Sequence, residues 1–399
     1  MTLPTPLHIA FGPVSGHWTG GVEYLRLVRR AFAALPPEER PRTGVLTWDA
    51  ANADRIAGDL ADEAIPVPEG SVGIPLGQRA LNRLHRSLNV PVPTLSATEA
   101  ALLRFGADVV FGTQVFTDVH RVPLLGWIPD FQYAHVPEAY DRVGVHAVAS
   151  SAQAVGERAA RIVMSSETVK KDLQRLFPQF AHKARVVRFV SPVPEGIYER
   201  DPGWVCAEYH LPERFFYIPN QFWAHKNHHL VLEALTLDPA RSAGVVVVCT
   251  GNPHDGRNPT FFGELLVHIS RAGLRDRMVI LGYVPRAHVL PLMRQSVSLL
   301  QPSRFEGWNV GIEEAKSLGK GVLASDIAVH LEQDPPGGVY FNVNDAQDLS
   351  RKMAQVWEER GPGPDPMLEE RARAQLIERT RAFARAFIAA AREAVEEGR

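Results

Sequence analysis

Short apolar runs alternate with longer segments of helical periodicity along most of this chain. The first unit is complete: Leu7 to Phe11 is an apolar strand, Gly12 to Gly21 is a glycine-rich turn, and Val22 to Leu35 repeats apolar residues at helical spacing. Repeated units of this kind build parallel sheets covered by helices. Because the chain has 399 residues and domains hold roughly 150 residues each, we expect an α/β protein with more than one domain.

A connector rich in proline and glycine, SPVPEGIYERDPGW, begins at Ser191 and divides the chain. Before it the pattern predicts strands at Thr43 to Trp48, Val109 to Phe111, Leu124 to Ile128, His146 to Ala149 and Arg161 to Met164, and helices at Ser151 to Ala160 and Glu167 to Leu176. After it the pattern predicts strands at Phe215 to Ile218, Val245 to Cys249, Met278 to Leu281 and Val297 to Leu300, and helices at Leu230 to Leu235, Phe261 to Ala272, Arg286 to Arg294 and Val310 to Leu318. We predict a first domain at 1–192, a connector at 193–212, a second domain at 213–368 and a terminal helical segment at 369–399.

Composition excludes several classes of protein. Lys plus Arg is 43 against 45 for Asp plus Glu, so no overall charge draws this chain to nucleic acid. Two cysteines cannot form a disulfide framework or a four-thiolate zinc site. The first residues lack the pattern of a signal peptide, and no apolar run approaches the roughly 20 residues that span a bilayer. We therefore expect a cytoplasmic protein.

Common cofactor and metal motifs are missing from the sequence. It contains no phosphate-binding GxxxxGK[ST] loop, no HExxH and no Asp-x-Asp pair. Gly12, Gly16 and Gly20 do not fit GxGxxG, although Asp49 stands where a ribose-binding acid of a dehydrogenase could lie. A zinc site at His225, His228 and His229 is disfavoured because no carboxylate or thiolate accompanies them. We expect neither a metal nor a cofactor.

Two loops could bind phosphate. Lys226 lies in a loop directly before a helix, where its charge suits a phosphate group. Gly20 and Gly21 lead into the first helix, so its free N–H groups could face an anion, or the two glycines could simply form a tight turn.

The segment from Pro302 to Gln333 carries the strongest signal. Glu306 falls in a loop and Glu314 in an early turn of the next helix, so both can face its N-terminus. Free N–H groups there favour a diphosphate, whereas carboxylates suit the neutral hydroxyls of sugars. The combination predicts a nucleotide-sugar pocket, with two solvated glutamates as the alternative.

The stretch from Pro302 to Gly321 resembles the E-x(7)-E segment of family 4 of the retaining glycosyltransferases, also called group 1 glycosyl transferases. Further segments are similar to that family: TGGVEYL at Thr19, WIPDFQYAHVPEAY at Trp127, MSSETVKKDL at Met164, HKNH at His225, ILGYVP at Ile280 and ASDIAVHLEQ at Ala324. The resemblance implies a GT-B fold, in which two Rossmann-like domains face each other across a cleft. It also implies a bacterial enzyme of cell-surface polysaccharide or lipopolysaccharide synthesis, for which the nucleotide diphosphate sugar is a substrate and not a cofactor.

The resemblance also implies roles for individual residues. Lys226 would hold the diphosphate, Glu306 the transferred sugar and Glu314 the ribose hydroxyls. The acceptor would lie near Asp130 and His135, which join Lys226 and Glu306 as candidate catalytic residues. Further donor-binding candidates are Gly20, Gly21, Gln221, His225, Gly282, Tyr283, Val284, Arg304, Gly307, Trp308, Asn309 and Val310.

Three positions depart from the family pattern. Gln221 stands where members carry an arginine, so Arg304 or His225 would have to supply that charge. Pro129 replaces a frequent histidine. Asn309 replaces a common glycine, which is a mild change because Asn tolerates turn geometry.

The implied mechanism is same-face attack, in which the acceptor hydroxyl passes its proton to the leaving diphosphate. A covalent intermediate on Glu306 is an alternative route. Alternative functions are a GT-B sugar-nucleotide epimerase or hydrolase, and a degenerate protein that only binds nucleotide or glycan. The helix predicted from Leu76 to Val90 has leucines on one side and Arg79, Arg83 and Arg86 on another. It could lie on an anionic membrane that carries a lipid-linked acceptor, or pack its apolar side into the core.

Overall fold

The computed structural model describes residues 6–13, 19–49, 58, 60–67, 95–238 and 242–398. Its strands are β1 (His8–Phe11), β2 (Arg42–Thr47), β3 (Glu63–Pro66), β4 (Val109–Gly112), β5 (Leu124–Trp127), β6 (Arg161–Met164), β7 (Ala184–Val186), β8 (Phe216–Ile218), β9 (Val247–Thr250), β10 (Met278–Gly282), β11 (Ser298–Gln301), β12 (Val322–Ser325) and β13 (Val339–Phe341). Its α-helices are α1 (Thr19–Ala33), α2 (Ala97–Phe105), α3 (Gln132–His135), α4 (Arg142–Arg158), α5 (Glu167–Leu176), α6 (Trp204–Glu208), α7 (His228–Leu237), α8 (Phe261–Arg271), α9 (Arg286–Gln295), α10 (Val310–Leu318), α11 (Ala328–Gln333), α12 (Ala346–Glu359) and α13 (Pro366–Glu397).

Two parallel sheets organise these elements. The first has the strand order β3-β2-β1-β4-β5-β6-β7, and the second has the order β10-β9-β8-β11-β12-β13. Every adjacent pair is parallel. In each sheet the order reverses next to the first strand, between β1 and β4 and between β8 and β11, which is the Rossmann pattern. The predicted two-domain α/β architecture is confirmed, and ligands are expected beyond the carboxyl ends of the strands at these reversals.

Helix boundaries follow local signals. Ser166 precedes α5 and its side chain accepts a hydrogen bond from the Val169 N–H, which satisfies a free donor of the first turn. Helix α10 ends at Gly319, whose φ of 68° suits a residue without a Cβ. The predicted bounds of both helices match the structure.

Two predictions about the first domain are wrong. His146 to Ala149 is not a strand but lies inside α4, which starts at the Asp141 cap where the side chain accepts from the Gly144 N–H. A four-residue apolar run cannot by itself distinguish strand from helix, and the cap decides. Gly20 and Gly21 do not precede the first helix either, because both belong to its first turn.

Helix α13 joins the two halves. Asp365 caps its N-terminus, with Pro366 as the first helical residue. Its apolar stripe, including Phe383, Phe387 and Ala391, is buried with residues of β1, β4 and α1 in one core cluster. The terminal segment therefore packs back onto the first domain.

No helix within the described ranges is both long and apolar enough to span a bilayer. The predicted amphipathic helix from Leu76 to Val90 lies outside the described residues.

Candidate active site

A cavity of about 1000 Å³ opens between the carboxyl ends of the two sheets. Both domains line it, with Trp127, Pro129 and Asp130 on one side and Lys226 and Glu306 on the other. The cavity therefore lies at the place where two facing Rossmann domains bind ligands. The predicted site residues that line it are Gly20, Asp130, Gln221, His225, Lys226, Glu306, Gly307, Trp308, Asn309 and Val310.

Lys226 and Glu306 form an ion pair inside the cavity. The Lys226 Nζ donates to Glu306 Oε1 at 2.6 Å, and the two side chains are 14% and 11% exposed. Burial acts to raise the pKa of Glu306, but the charge and hydrogen bond of Lys226, with contributions from His225 and His330, together outweigh burial, and the pKa lies below its ordinary value. The carboxylate is therefore ionised at neutral pH, where it can accept hydrogen bonds from sugar hydroxyls.

Asn309 connects this pair to the start of α10. Its Nδ2 donates to Glu306 Oε1 at 3.0 Å, while its Oδ1 accepts from the Ile312 N–H at 3.0 Å. The sequence argument gave the wrong reason for tolerating Asn here, because φ is −91° and the residue acts as an N-cap. Its own N–H donates to Gln333 Oε1, so this amide is already satisfied in the described structure.

The loop carrying Glu306 meets the first domain at Gly307. A Cβ on Gly307 would lie 2.4 Å from the Pro129 carbonyl oxygen and 2.9 Å from the Asp130 Cβ. The approach needs glycine, and it brings Asp130 next to Glu306. Burial raises the pKa of Asp130, and the negative charge of Glu306 adds to that shift.

Trp308 and Glu332 fasten the second domain to the first. The Trp308 Nε1–H donates to the Phe189 carbonyl at 3.1 Å. Glu332, at the end of α11, accepts from the Glu167 and Thr168 amides at 2.8 and 3.1 Å. The ASDIAVHLEQ and MSSETVKKDL segments therefore meet in space at the N-terminus of α5.

Glu314 lies apart from the cavity lining. It is buried and pairs with Arg286 at the start of α9. Burial raises the pKa of Glu314, although Arg286 opposes that shift. Gly282, with φ of 68°, and Tyr283, which is 82% exposed, lie at the end of β10. These three predicted donor-binding residues, Glu314, Gly282 and Tyr283, do not line the cavity.

Residues 210–382 match the family model of group 1 glycosyl transferases. No curated protein matches the chain in sequence.

The fold is GT-B. A glycosyltransferase from Rickettsia africae aligns with a TM-score of 0.64 and 15% identity over 98% of this chain and all of its own. HepE of Anabaena, solved with UDP and glucose, aligns with a TM-score of 0.61 and 17% identity over 96% of this chain and 98% of its own. The lipopolysaccharide outer core galactosyltransferase WaaB aligns with a TM-score of 0.58 and 16% identity over 96% of this chain and 99% of its own.

Several predicted residues of the GT-B site do not line the described cavity. Gly21 is buried within α1, and Val284 is buried after β10. His135 Nε2 lies 2.7 Å from Asp172 Oδ2, and its ring stacks on Phe305.

Neither of the two substitutes suggested for the missing arginine presents a positive charge to the cavity in this structure. Arg304 reaches out of the cavity to Glu138, 3.1 Å away, and both side chains are about half exposed. Burial, with help from the Lys226 charge, lowers the pKa of His225 to about 3, so this ring is neutral at neutral pH.

The three histidines considered as a zinc site do not share one pocket: His225 lines the cavity, whereas His228 does not. His228 is fully buried and stacks on Phe222 with a centroid separation of 4.8 Å. Within the described ranges no three His, Cys, Asp or Glu side chains converge as metal ligands.

Sequence reasoning missed Arg257. It lies in the loop that follows β9 and lines the cavity together with Trp223, Gln132 and Tyr140. Its position after a parallel strand of the second domain was the available signal, because the carboxyl ends of such strands share one edge.

Proposed function

We propose that this protein is a retaining hexosyltransferase of the group 1 type. It would move a hexosyl or deoxyhexosyl unit from a nucleotide diphosphate sugar to a saccharide or lipid-linked acceptor. The observation that carries the proposal is the Lys226–Glu306 pair, which lies at the start of α10 inside a cavity lined by two Rossmann-like domains.

The chemistry of each group supports donor binding. Lys226 offers a positive charge for the diphosphate, and the N-terminus of α10 adds a positive helix dipole. Glu306, ionised and partly buried, accepts from sugar hydroxyls. Glu314 and its partner Arg286 would take the ribose side, near the end of β10.

The proposed reaction is a same-face displacement. The bond between the anomeric carbon and the diphosphate oxygen breaks, and a bond from the same carbon to the acceptor oxygen forms. The acceptor proton passes to an oxygen of the departing diphosphate. The enzyme contributes orientation and electrostatic stabilisation, and no side-chain nucleophile is required.

A covalent route through Glu306 is less favoured by the contacts. Its Oε1 accepts from both Lys226 and Asn309, and these hydrogen bonds weaken a carboxylate oxygen as a nucleophile.

The setting we propose is bacterial polysaccharide or lipopolysaccharide assembly at the cytoplasmic side of the membrane. Structural likeness to WaaB supports this choice. We further propose that the enzyme works without a bound metal, because Lys226 and the start of α10 can meet the diphosphate charge.

The test combines binding and turnover in EDTA. Wild type, Lys226→Ala and Glu314→Ala are heated with a panel of nucleoside diphosphates and sugar nucleotides, with Lys171→Ala on the exposed side of α5 as the control. One nucleotide should stabilise the wild type and the control but neither site variant. Sugar nucleotides of that base are then incubated with saccharide acceptors, and the anomeric configuration of the product is read by NMR.

Each alternative has its own result. Released sugar without a transfer product would support a hydrolase, and a changed donor sugar would support an epimerase. Binding without any turnover would support the degenerate protein. A wild type that no nucleotide stabilises contradicts the proposed function.

A further inference from the structure

The proposed reaction leaves a diphosphate whose charge must be met within the cavity. Lys226 already contacts Glu306 at 2.6 Å, so its charge is shared with a carboxylate. Gln221, which also lines the cavity, brings only a neutral amide. A second cation would therefore add substantially to diphosphate binding.

Arg257 is the second permanently charged cation among the described residues that line the cavity. Its loop packs on the loop that carries Gln221 and Lys226: a Cβ on Gly251 would lie 2.2 Å from the Asn220 carbonyl oxygen. The Trp223 Nε1–H also donates to the His254 carbonyl at 3.3 Å. The loops after β8 and β9 therefore form one wall of the cavity.

The guanidinium of Arg257 lies close to two aromatic rings. It lies 4.9 Å from the Trp223 ring centroid and 5.4 Å from that of Tyr140. Cation–π contacts do not use the N–H donors of the guanidinium, so those donors stay available for hydrogen bonds.

Its hydrogen bonds cross the cleft. Nη1 donates to Gln132 Oε1 at 2.6 Å and to the Tyr140 hydroxyl at 3.2 Å. Nε forms an ion pair with Asp255 Oδ1 at 3.4 Å, which is longer than the 2.6 Å of the Lys226–Glu306 pair. Among the residues the structure describes, none accepts a hydrogen bond from Nη2. With its side chain 28% exposed, Arg257 keeps donors for an oxyanion in the cavity.

We propose that Arg257 binds the diphosphate of the sugar donor and takes the place of the arginine that the family resemblance expects at Gln221. This inference rests on the proposed function. Gln132 belongs to the first domain, so Arg257 also joins this wall of the cavity to the first domain.

The experiment compares two matched ligands by calorimetry. The nucleoside diphosphate that stabilises the wild type is titrated beside the monophosphate of the same nucleoside, into wild type, Arg257→Gln and Arg257→Lys. Arg257→Gln should weaken diphosphate binding roughly 10- to 100-fold, since a hydrogen bond to a charged group contributes that much, and change monophosphate binding far less. Arg257→Lys keeps the positive charge but lacks the planar, two-pronged guanidinium, so its diphosphate affinity should lie between those of the wild type and Arg257→Gln.

Arg275→Gln is the matched control, because this exposed arginine lies on a loop of the same domain outside the cavity and bonds Ser270. Its affinities should equal those of the wild type. The unfolding midpoint of each ligand-free variant checks that folding is intact.

Unchanged diphosphate affinity in Arg257→Gln overturns the inference. A phosphate on a lipid-linked acceptor has the same chemistry, and an Arg257 that served only that group would produce this unchanged result. A loss in Arg304→Gln with none in Arg257→Gln overturns it as well. If the wild type binds no nucleoside diphosphate, the proposed function itself is contradicted. If Lys226→Ala loses diphosphate binding and Arg257→Gln keeps it, the proposed function stands and only the role of Arg257 is contradicted.

Discussion

At Gly307 the loop of the second domain lies directly against the backbone of the first domain. Replacing it with alanine would place a Cβ 2.4 Å from the Pro129 carbonyl oxygen and 2.9 Å from the Asp130 Cβ. Ordinary contacts begin near 3.4 Å. The Pro129 contact is with backbone, which cannot turn away as a flexible side chain would.

The size of the effect follows from that distance. Relief of the Pro129 contact requires a separation about 1 Å larger, which moves Glu306 and its loop away from Asp130 by a similar amount. A misplacement of about 1 Å can cost roughly 100-fold in rate, because the reacting atoms leave their near-attack geometry. We therefore expect Gly307→Ala to lower kcat/KM roughly 100-fold.

The assay is release of nucleoside diphosphate at several donor concentrations. Gly263→Ala is the matched control, since this glycine lies within α8 and a Cβ there meets no atom within 4 Å. The control should keep wild-type turnover and gain about 0.4–1 kcal/mol in unfolding free energy. Wild-type turnover in Gly307→Ala would refute the argument that this approach positions the site.

Two stability predictions follow, both measured by urea unfolding. Burial first, and then the Lys226 charge, lowers the pKa of His228 to about 3, below its ordinary value, so the unfolded chain binds the proton first as pH falls. The contribution of neutral His228 to the free energy of unfolding is therefore complete above about pH 6.5 and is lost as the pH falls toward 3, by about 2 kcal/mol between pH 7 and 5. His228→Leu should lack this part of the pH dependence. Arg294→Met should cost about 3–5 kcal/mol because it leaves Glu369, 13% exposed, without its partner. Arg373→Met, which breaks an exposed ion pair with Glu199, should cost under about 1 kcal/mol of unfolding free energy. Equal losses of stability in the two arginine variants would contradict the prediction for Arg294. A pH dependence of stability in His228→Leu that equals the wild type's would contradict the prediction for His228.

Local signals accounted for much of the fold. The bounds of α5 and α10 follow from residues that lie next to each helix, such as the Ser166 cap and Gly319. The strands β3, β7, β12 and β13 have three or four residues and were not predicted. Such short runs form strands because a neighbouring strand pairs with them, and that partner is distant in the sequence.

In the candidate site, too, some residues were predicted from local sequence and others were found only in the structure. Lys226 and Glu306 were predicted from their segments, and the structure brings them within 2.6 Å although 80 positions separate them. Arg257 offered only its position after a predicted strand, and its surroundings depend on Trp223 and on Tyr140 from the other domain.

The sequence by itself predicted an α/β fold built on parallel sheets, and it predicted Lys226 and Glu306 as candidates for one site. Periodicity, caps and charged loops act within about ten residues, so they are readable in order along the chain. Only the tertiary structure decided that Arg257 faces Gln132 across the cleft and that Gly307 must lack a side chain. It also decided that Arg304 pairs with the exposed Glu138 and that His225 is buried and neutral, because exposure and burial depend on packing between distant segments.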